Sequence, residues 1–336
     1  MVSVICPIFN EERYIHKCID SVLAQDYPKD DMEVLFVDGM STDTTRHIVA
    51  QYVAQYPFIH LLDNPHKIVP YAMNLGIQQA KGDIIVRLDA HAEYPTDYIS
   101  KLKEGLKRYD AENVGGVCRT MPANDTSKAI AISAALCSPF GVGNSMFRIG
   151  VNHDMEVDTV PFGCFPKSVF DRVGFYDCDL IRNQDDELNA RIINSGGKIV
   201  LLADIEIKYF ARENFSKLYA MYYQYGLYKP LVNKKLGSPA TIRPMIPPLF
   251  VFGILFGFFL CLLFPYVGFI YLLGISLYFA VGCYIGLQQA KEHRKLSLFF
   301  LLPCAFLILH FGYGIGYWHG LAKLLFNCSF NVEVSR

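Results

Sequence analysis

Gln184-Asp185-Asp186-Glu187 sets three consecutive carboxylates at the start of what reads as a helix, continuing through Leu188, Ile192 and Ile193 to a stop at Gly196-Gly197. Like charges this close repel, which raises the proton affinity of at least one of them. A carboxylate so tuned suits the removal of a proton from an attacking hydroxyl. The same cluster would also complement the helix dipole. Asp89 and His91 stand two residues apart at the end of a strand-like run, so both side chains project to one side. Together they can face one divalent cation, and the imidazole favours Mn²⁺ over Mg²⁺ if it coordinates. Asp38 ends another such run, and Asn10 and Glu11 follow a third.

Those residues need a frame. Val2 to Ile8, Val34 to Val37, Ile59 to Leu62 and Ile84 to Leu88 are short apolar, β-branched runs. Between and after them lie helical patterns at Glu11 to Ala24, Asp43 to Tyr56 (capped by Ser41 or Thr42), Val69 to Ala80 and Asp97 to Tyr109. Four strand and helix units in order predict an α/β fold with a doubly wound, mostly parallel sheet. Ligands of such sheets sit beyond the carboxyl ends of the strands, where Asn10, Asp38, Asp89 and His91 fall. No G-x-G-x-x-G or G-x-x-x-x-G-K-[ST] follows a strand, which argues against a dinucleotide oxidoreductase or a P-loop NTPase.

Four motifs in this order resemble the inverting family 2 glycosyltransferases of GT-A fold, over about residues 1–235. They are Val4-Ile5-Cys6-Pro7-Ile8-Phe9-Asn10-Glu11, Val37-Asp38-Gly39-Met40-Ser41-Thr42-Asp43, Leu88-Asp89-Ala90-His91, and Gln184-Asp185-Asp186-Glu187-Leu188 with Arg191. The apolar tail and the Asp89-Ala90-His91-Ala92-x-Tyr94-Pro95 wording are most similar to membrane-bound glucosyltransferases of succinoglycan-type exopolysaccharide assembly. The resemblance implies a nucleotide-sugar donor, UDP-linked, with Pro7, Phe9, Asn10, Glu11, Asp38, Asp89 and Arg191 on the donor side. Asp38 would accept the uracil ring N–H, and Asp43 would either touch the ligand or cap the following helix. It puts a divalent cation, Mn²⁺ or Mg²⁺, at Asp89 and His91, where the family usually has a second Asp. The base falls at Asp185, with Gln184 in place of the family's Glu and Asp186 as the close rival. Arg191 would hold the diphosphate or pair with the acids. Pro161-Phe162-Gly163-Cys164-Phe165 resembles the acceptor-side loop, where Gly163 would let a sugar approach and Phe162 or Phe165 would stack on it.

Charge divides the chain. Residues 1–207 carry 19 Lys plus Arg against 29 Asp plus Glu, residues 208–243 carry 7 against 1, and residues 244–336 carry 5 against 2. The overall net charge of −1 argues against a nucleic-acid binder, which would need a basic face to neutralise phosphates. Ile246 to Leu287 holds no charged residue in 42 positions, about twice the roughly 20 needed to cross a bilayer. Pro265 breaks the run into spans at about 246–264 and 266–287. A third apolar run, 296–317, either crosses or forms a bent or interfacial segment, because His310 and repeated glycines interrupt it. Arg212 to Arg243, with five tyrosines among lysines, reads as an amphipathic neck at the headgroup level.

The domains expected are therefore a cytoplasmic catalytic body over 1–207, an interfacial neck over 208–245, a membrane region over 246–325 and a tail over 326–336. Met1 leads straight into a strand with no apolar leader, so the body is expected in the cytoplasm and the chain in the inner membrane as a multi-pass protein. The ten cysteines form no C-x-x-C pair and read as reduced packing residues. The favoured activity moves a sugar from a nucleotide-sugar to a lipid-linked saccharide in cell-surface exopolysaccharide or capsule assembly. The alternatives are a polyprenyl-phosphate glycosyltransferase and a non-catalytic nucleotide-sugar-binding scaffold. A processive synthase is disfavoured, because there is no Gln-x-x-Arg-Trp motif.

Overall fold

A computed structural model describes residues 1–239 and 241–330; positions 331–336 of the expected tail lie outside the described residues. The chain opens with β1 (Val2–Ile8), α1 (Ile15–Leu23), β2 (Met32–Asp38), α2 (Thr45–Gln55), β3 (Ile59–Asp63), α3 (Val69–Gln79) and β4 (Ile84–Arg87). There follow β5 (Ala92–Glu93), α4 (Tyr98–Tyr109), β6 (Asn113–Met121) and three short helices, α5 (Ser127–Cys137), α6 (Pro139–Val142) and α7 (Met146–Ile149). Then come β7 (Met155–Glu156), β8 (Cys164–Pro166), α8 (Ser168–Val173), α9 (Gln184–Asn194) and β9 (Ile199–Phe210). Four long helices close the chain: α10 (Phe215–Leu236), α11 (Ile246–Leu263), α12 (Pro265–His293) and α13 (Leu298–Leu325).

These elements form two compact units, and the division is not contiguous. Residues 1–119 and 149–209 make the first; residues 120–148 and 210–330, of those described, belong to the second. The composition boundary near 207 finds one edge of this division. It does not find the excursion at 120–148, whose apolar α5 is too short to stand out from core.

The first unit is built on one sheet ordered β3-β2-β1-β4-β8-β6-β9-β5. Its β3-β2-β1-β4 half is parallel, with Ile8 level with Asp38 and Asp38 level with Asp63. This is the half the strand and helix alternation describes, and every side chain of β2 is buried, as a strand covered on both faces requires. The remainder is mixed: β8 runs antiparallel to β4 and β6, and β5 and β7 antiparallel to β9, while β6 and β9 run in the same direction, tied from Glu112 N–H to Lys198 O and from Ala211 N–H to Met121 O. Gly116 sits so close to Ile205 that an added Cβ would come within 2.4 Å of that side chain.

In the second unit, α5, α10, α12 and α13 share a core that includes Ile132, Leu136, Leu218, Ala290, Leu302 and Phe306. Among the described residues three helices are long and apolar enough to cross a bilayer, and α12 begins at Pro265 after the extended Phe264, as the breaker predicts. α10 differs from a helix lying alone at the headgroups. Tyr222, Leu227, Tyr228 and Lys229 are buried, because α10 packs lengthwise on α13. All ten cysteines are free of disulfides.

Candidate functional site

β1 and β2 end side by side, and the loops beyond them are cross-tied. Asn10 takes a left-handed backbone, with φ of 55°, and turns the chain so that its N–H donates to Ser41 Oγ at 2.9 Å. In return, the Thr42 N–H donates to Asn10 Oδ1 at 2.8 Å. Asp38 is fully buried and accepts from the Ser41 hydroxyl at 2.6 Å, the Ser41 N–H, and Arg46 Nη1 at 3.0 Å. Arg46 also reaches Asp63, so one guanidinium joins the ends of β2 and β3. Ser41 is thereby spent on Asp38 and Asn10 instead of capping α2. Asp43 Oδ1 accepts the Thr45 N–H at 3.0 Å, which supports its reading as a cap.

At the end of β4 the side chains of Asp89 and His91 meet directly. His91 Nδ1 lies 2.7 Å from Asp89 Oδ1 and 3.6 Å from Glu11 Oε1, and the ring packs 5.2 Å from that of Tyr209. Burial disfavours charge on both groups. The mutual attraction outweighs it, with Arg87 helping on one side and Tyr209 and Glu11 on the other. Asp89 is held well below the usual carboxylate range and His91 well above that of a free imidazole. With Nδ1 committed to Asp89, Nε2 is the ring nitrogen a cation would take, displacing the proton that the Asp89 partnership favours there. Among the described residues no three or more His, Cys, Asp or Glu form a metal cluster. A two-residue donor set fits a cation that completes its shell with diphosphate oxygens and water.

Asn183, at φ 60°, turns the chain into α9, and Asp185 in its first turn forms an ion pair with Arg87, the last residue of β4. Sequence reasoning did not single out Arg87. Its signal was a charge closing the otherwise apolar Ile84-Ile85-Val86 strand, and it is 7% exposed. Desolvation raises the pKa of Asp185, Arg87 opposes the shift, and the nearby Asp186 and Asp89 add to it; the net direction is upward. The structure therefore brings Asp185, Arg87, Asp89, His91 and Glu11 to one end of the sheet.

Packing bears on the other expectations. Of the two roles expected of Arg191, the structure shows the pairing with the acids, as a clamp. Its Nε and Nη2 grip both Glu187 oxygens at 2.7 and 2.8 Å, and its remaining donors take the carbonyls of Val173, Gly174 and Phe175. Phe165 is 2% exposed against Phe170 and has no face to offer a sugar. Gly163 is glycine because an added Cβ would fall 2.2 Å from Asn113 Oδ1, so its small size serves packing. Phe162 is 8% exposed, in a left-handed conformation with φ of 48°, and its ring lies against Tyr94 and Tyr209. Pro7 and Phe9 are half-buried and Asn10 exposed around the end of β1.

The family model described as Glycosyl transferase family 2 matches residues 3–177, more than half of the chain. A dolichyl N-acetyl-alpha-D-glucosaminyl phosphate 3-beta-D-2,3-diacetamido-2,3-dideoxy-beta-D-glucuronosyltransferase of Methanococcus voltae is 28% identical over 330 residues, 96% of this chain and 97% of that protein. The succinoglycan biosynthesis protein ExoA of Rhizobium meliloti (strain 1021) is 28% identical over 325 residues, 95% of this chain and 94% of its own length. Among solved structures, the mannosyltransferase PcManGT from Pyrobaculum calidifontis, in complex with GDP-Man and Mn²⁺, superposes with a TM-score of 0.58 at 17% identity over 91% of this chain and 86% of that one. S. aureus TarS 1-349 with UDP-GlcNAc gives 0.56 at 17% identity over 99% and 94%. At these identities the likeness is one of fold, the GT-A type.

Proposed function

Because the chain belongs to glycosyltransferase family 2, we propose that it moves a sugar, with inversion, from a UDP-sugar to a lipid-linked saccharide at the cytoplasmic face of a membrane. The observation that carries this reading is the Arg87 and Asp185 ion pair. It sets a proton-accepting carboxylate against the end of β4, two residues from Asp89. The two near-full-length relatives support the acceptor class, since one is named for a dolichyl-linked sugar phosphate and the other for succinoglycan biosynthesis.

The acceptor hydroxyl attacks the anomeric carbon from the face opposite the nucleoside diphosphate. Asp185 takes the hydroxyl proton as the new C–O bond forms and the bond to the diphosphate breaks. Arg87 keeps Asp185 ionised and aimed. Asp89 and His91, through Nε2, would hold a divalent cation on the diphosphate, which would supply neutralisation of the leaving group's charge. The Asn10, Asp38, Ser41 and Arg46 network forms a preset rim for the nucleotide, with Asp38 shaping that rim from beneath. The apolar helices anchor the chain. Arg243, Lys291, Arg294 and Lys295 at their ends suit the cytoplasmic side.

Membranes containing the full chain, incubated with a panel of labelled nucleotide sugars and then extracted with organic solvent, test this reading. Label in the lipid phase with one or two donors is expected. Hydrolysis of the donor without lipid-phase label under any donor overturns it.

A further inference from the structure

α11 and α12 form a hairpin whose side chains face outward on all sides toward the tip; Leu255, Phe258, Leu262, Phe269 and Leu273 are all more than half exposed. α13 is equally apolar but differently placed. Of its most apolar stretch 44% is buried within the protein, against 11% for each arm of the hairpin.

The contacts give its direction. His310 and Phe311 of α13 meet Phe250 of α11, Gly314 meets Pro247 and Val251, and Trp318 meets Pro248 and Phe252. Over eight residues of α13, about 12 Å of rise, the partner on α11 stays within the six residues 247–252. A helix spanning beside α11 would advance along it step for step; this one passes across the base of α11 after its first half has run antiparallel along the last turns of α12, Leu298 and Phe299 meeting Gly286, Pro303 meeting Gly282 and His310 meeting Tyr278. On α10 the stepping is regular, since Gly312 meets Tyr219, Gly316 meets Tyr223, and Gly320 meets Leu227. The C-terminal half of α13 and α10 therefore travel together.

That pairing decides what bilayer immersion would entail. Carried across a bilayer, α13 would take α10 with it, and α10 is not among the three described helices apolar enough to cross: Gln224 and Lys229 lie in its middle, and Ser216, Lys217, Lys234 and Lys235 are exposed at its two ends, with Lys217 paired to Glu213. Hydrocarbon tolerates such a helix poorly. α13 instead leaves one apolar stripe open, Phe300, Ile315, Trp318 and Leu325, which helical spacing puts on one side. One helix with an apolar stripe, joined to one that carries exposed lysines at both ends and Lys229 in its middle, matches a pair lying in the plane of the headgroups.

We propose that the α10 and α13 pair is a lipid-surface platform across the base of the α11 and α12 hairpin. The chain then crosses the membrane twice and ends on the face that carries Arg243 and Lys291. This rests on the membrane reading of the hairpin given above.

The test uses the full chain in intact cells with a membrane-impermeant maleimide. One variant retains Cys328, exposed beyond the end of α13, as its only cysteine. A second, otherwise cysteine-free, carries Tyr266→Cys at the exposed tip of the hairpin. The expected result is labelling at 266 in intact cells and at 328 only after permeabilisation. Labelling at both positions in intact cells overturns the platform and leaves the membrane reading standing, while protection at 266 overturns the hairpin and the platform with it. Should the cysteine-depleted chains fail to accumulate, the native chain is fused at its C-terminus to green fluorescent protein or to alkaline phosphatase. Fluorescence without phosphatase activity is expected, and the reverse refutes the platform.

Discussion

Replacing Arg87 with methionine removes the charge that faces Asp185 while keeping much of the side chain's length. Two unit charges in contact are worth about 4 kcal/mol at the effective dielectric of a protein surface. Arg87 is buried but the Asp185 side chain is 38% exposed, so water screens a good part of that, leaving about 1–2 kcal/mol. At about 1.4 kcal/mol per factor of ten, the ionised fraction of Asp185 falls about 5- to 30-fold on the acid side of its titration. The sign follows from the direction of the shift. Desolvation already pushes Asp185 up and Arg87 opposes it, so losing Arg87 pushes it further. The acid limb of kcat therefore moves to higher pH, the rate loss is greatest at the acid end, and much of it is recovered in alkali. The KM for the nucleotide sugar changes little, and Arg87→Lys retains most of the wild-type profile. Initial rates across pH, with a melting curve on each variant, measure this. A uniform loss of rate at every pH, or a limb that stays in place, refutes the link between Arg87 and the base.

EDTA should abolish transfer, and Mn²⁺ should restore it better than Mg²⁺. His91→Ala should raise the metal concentration for half activity, and an unchanged titration would remove His91 from the ligand set. Asp38→Asn leaves Arg46 and Ser41 with a neutral partner. It should cost about 1–3 kcal/mol of stability and raise the KM for donor more than it lowers kcat; a wild-type KM would show the loop network to be independent of the nucleotide rim. Phe165→Ala opens a cavity beside Phe170 and should cost about 3–5 kcal/mol in chemical denaturation. The acceptor KM of that variant should be unaltered, and a selective rise would restore the stacking role.

The parallel half of the sheet was legible because each strand carries its own signal: β-branched runs, polar residues at the carboxyl ends, helical periods between. The mixed half was not, since β5, β7 and β8 are two or three residues long and their pairing is set by distant partners. The positions of Asp38, Asp89, His91 and Asp185 follow from strand and helix ends, whereas the orientation of Arg191 depends on where α8 turns back, and only the folded chain shows that. Arg87 was missed because a lone arginine closing a strand resembles a surface residue until α9 is laid over it. The placement of α13 was least legible, for its apolarity alone leaves crossing and lying at the surface both open. Glycines 312, 316 and 320, at a spacing of four, mark the seam where α10 lies close.

The central claim, that this glycosyltransferase works through Asp185, is tested most directly by Asp185→Asn in reconstituted vesicles. Nucleotide-sugar binding and sugar transfer into the lipid phase would be measured on the same preparation. The account predicts donor binding within about twofold of wild type and transfer reduced by about 10²-fold or more, with Asp186→Asn hurting less. Transfer at the wild-type rate in Asp185→Asn, or a larger loss in Asp186→Asn, would contradict it.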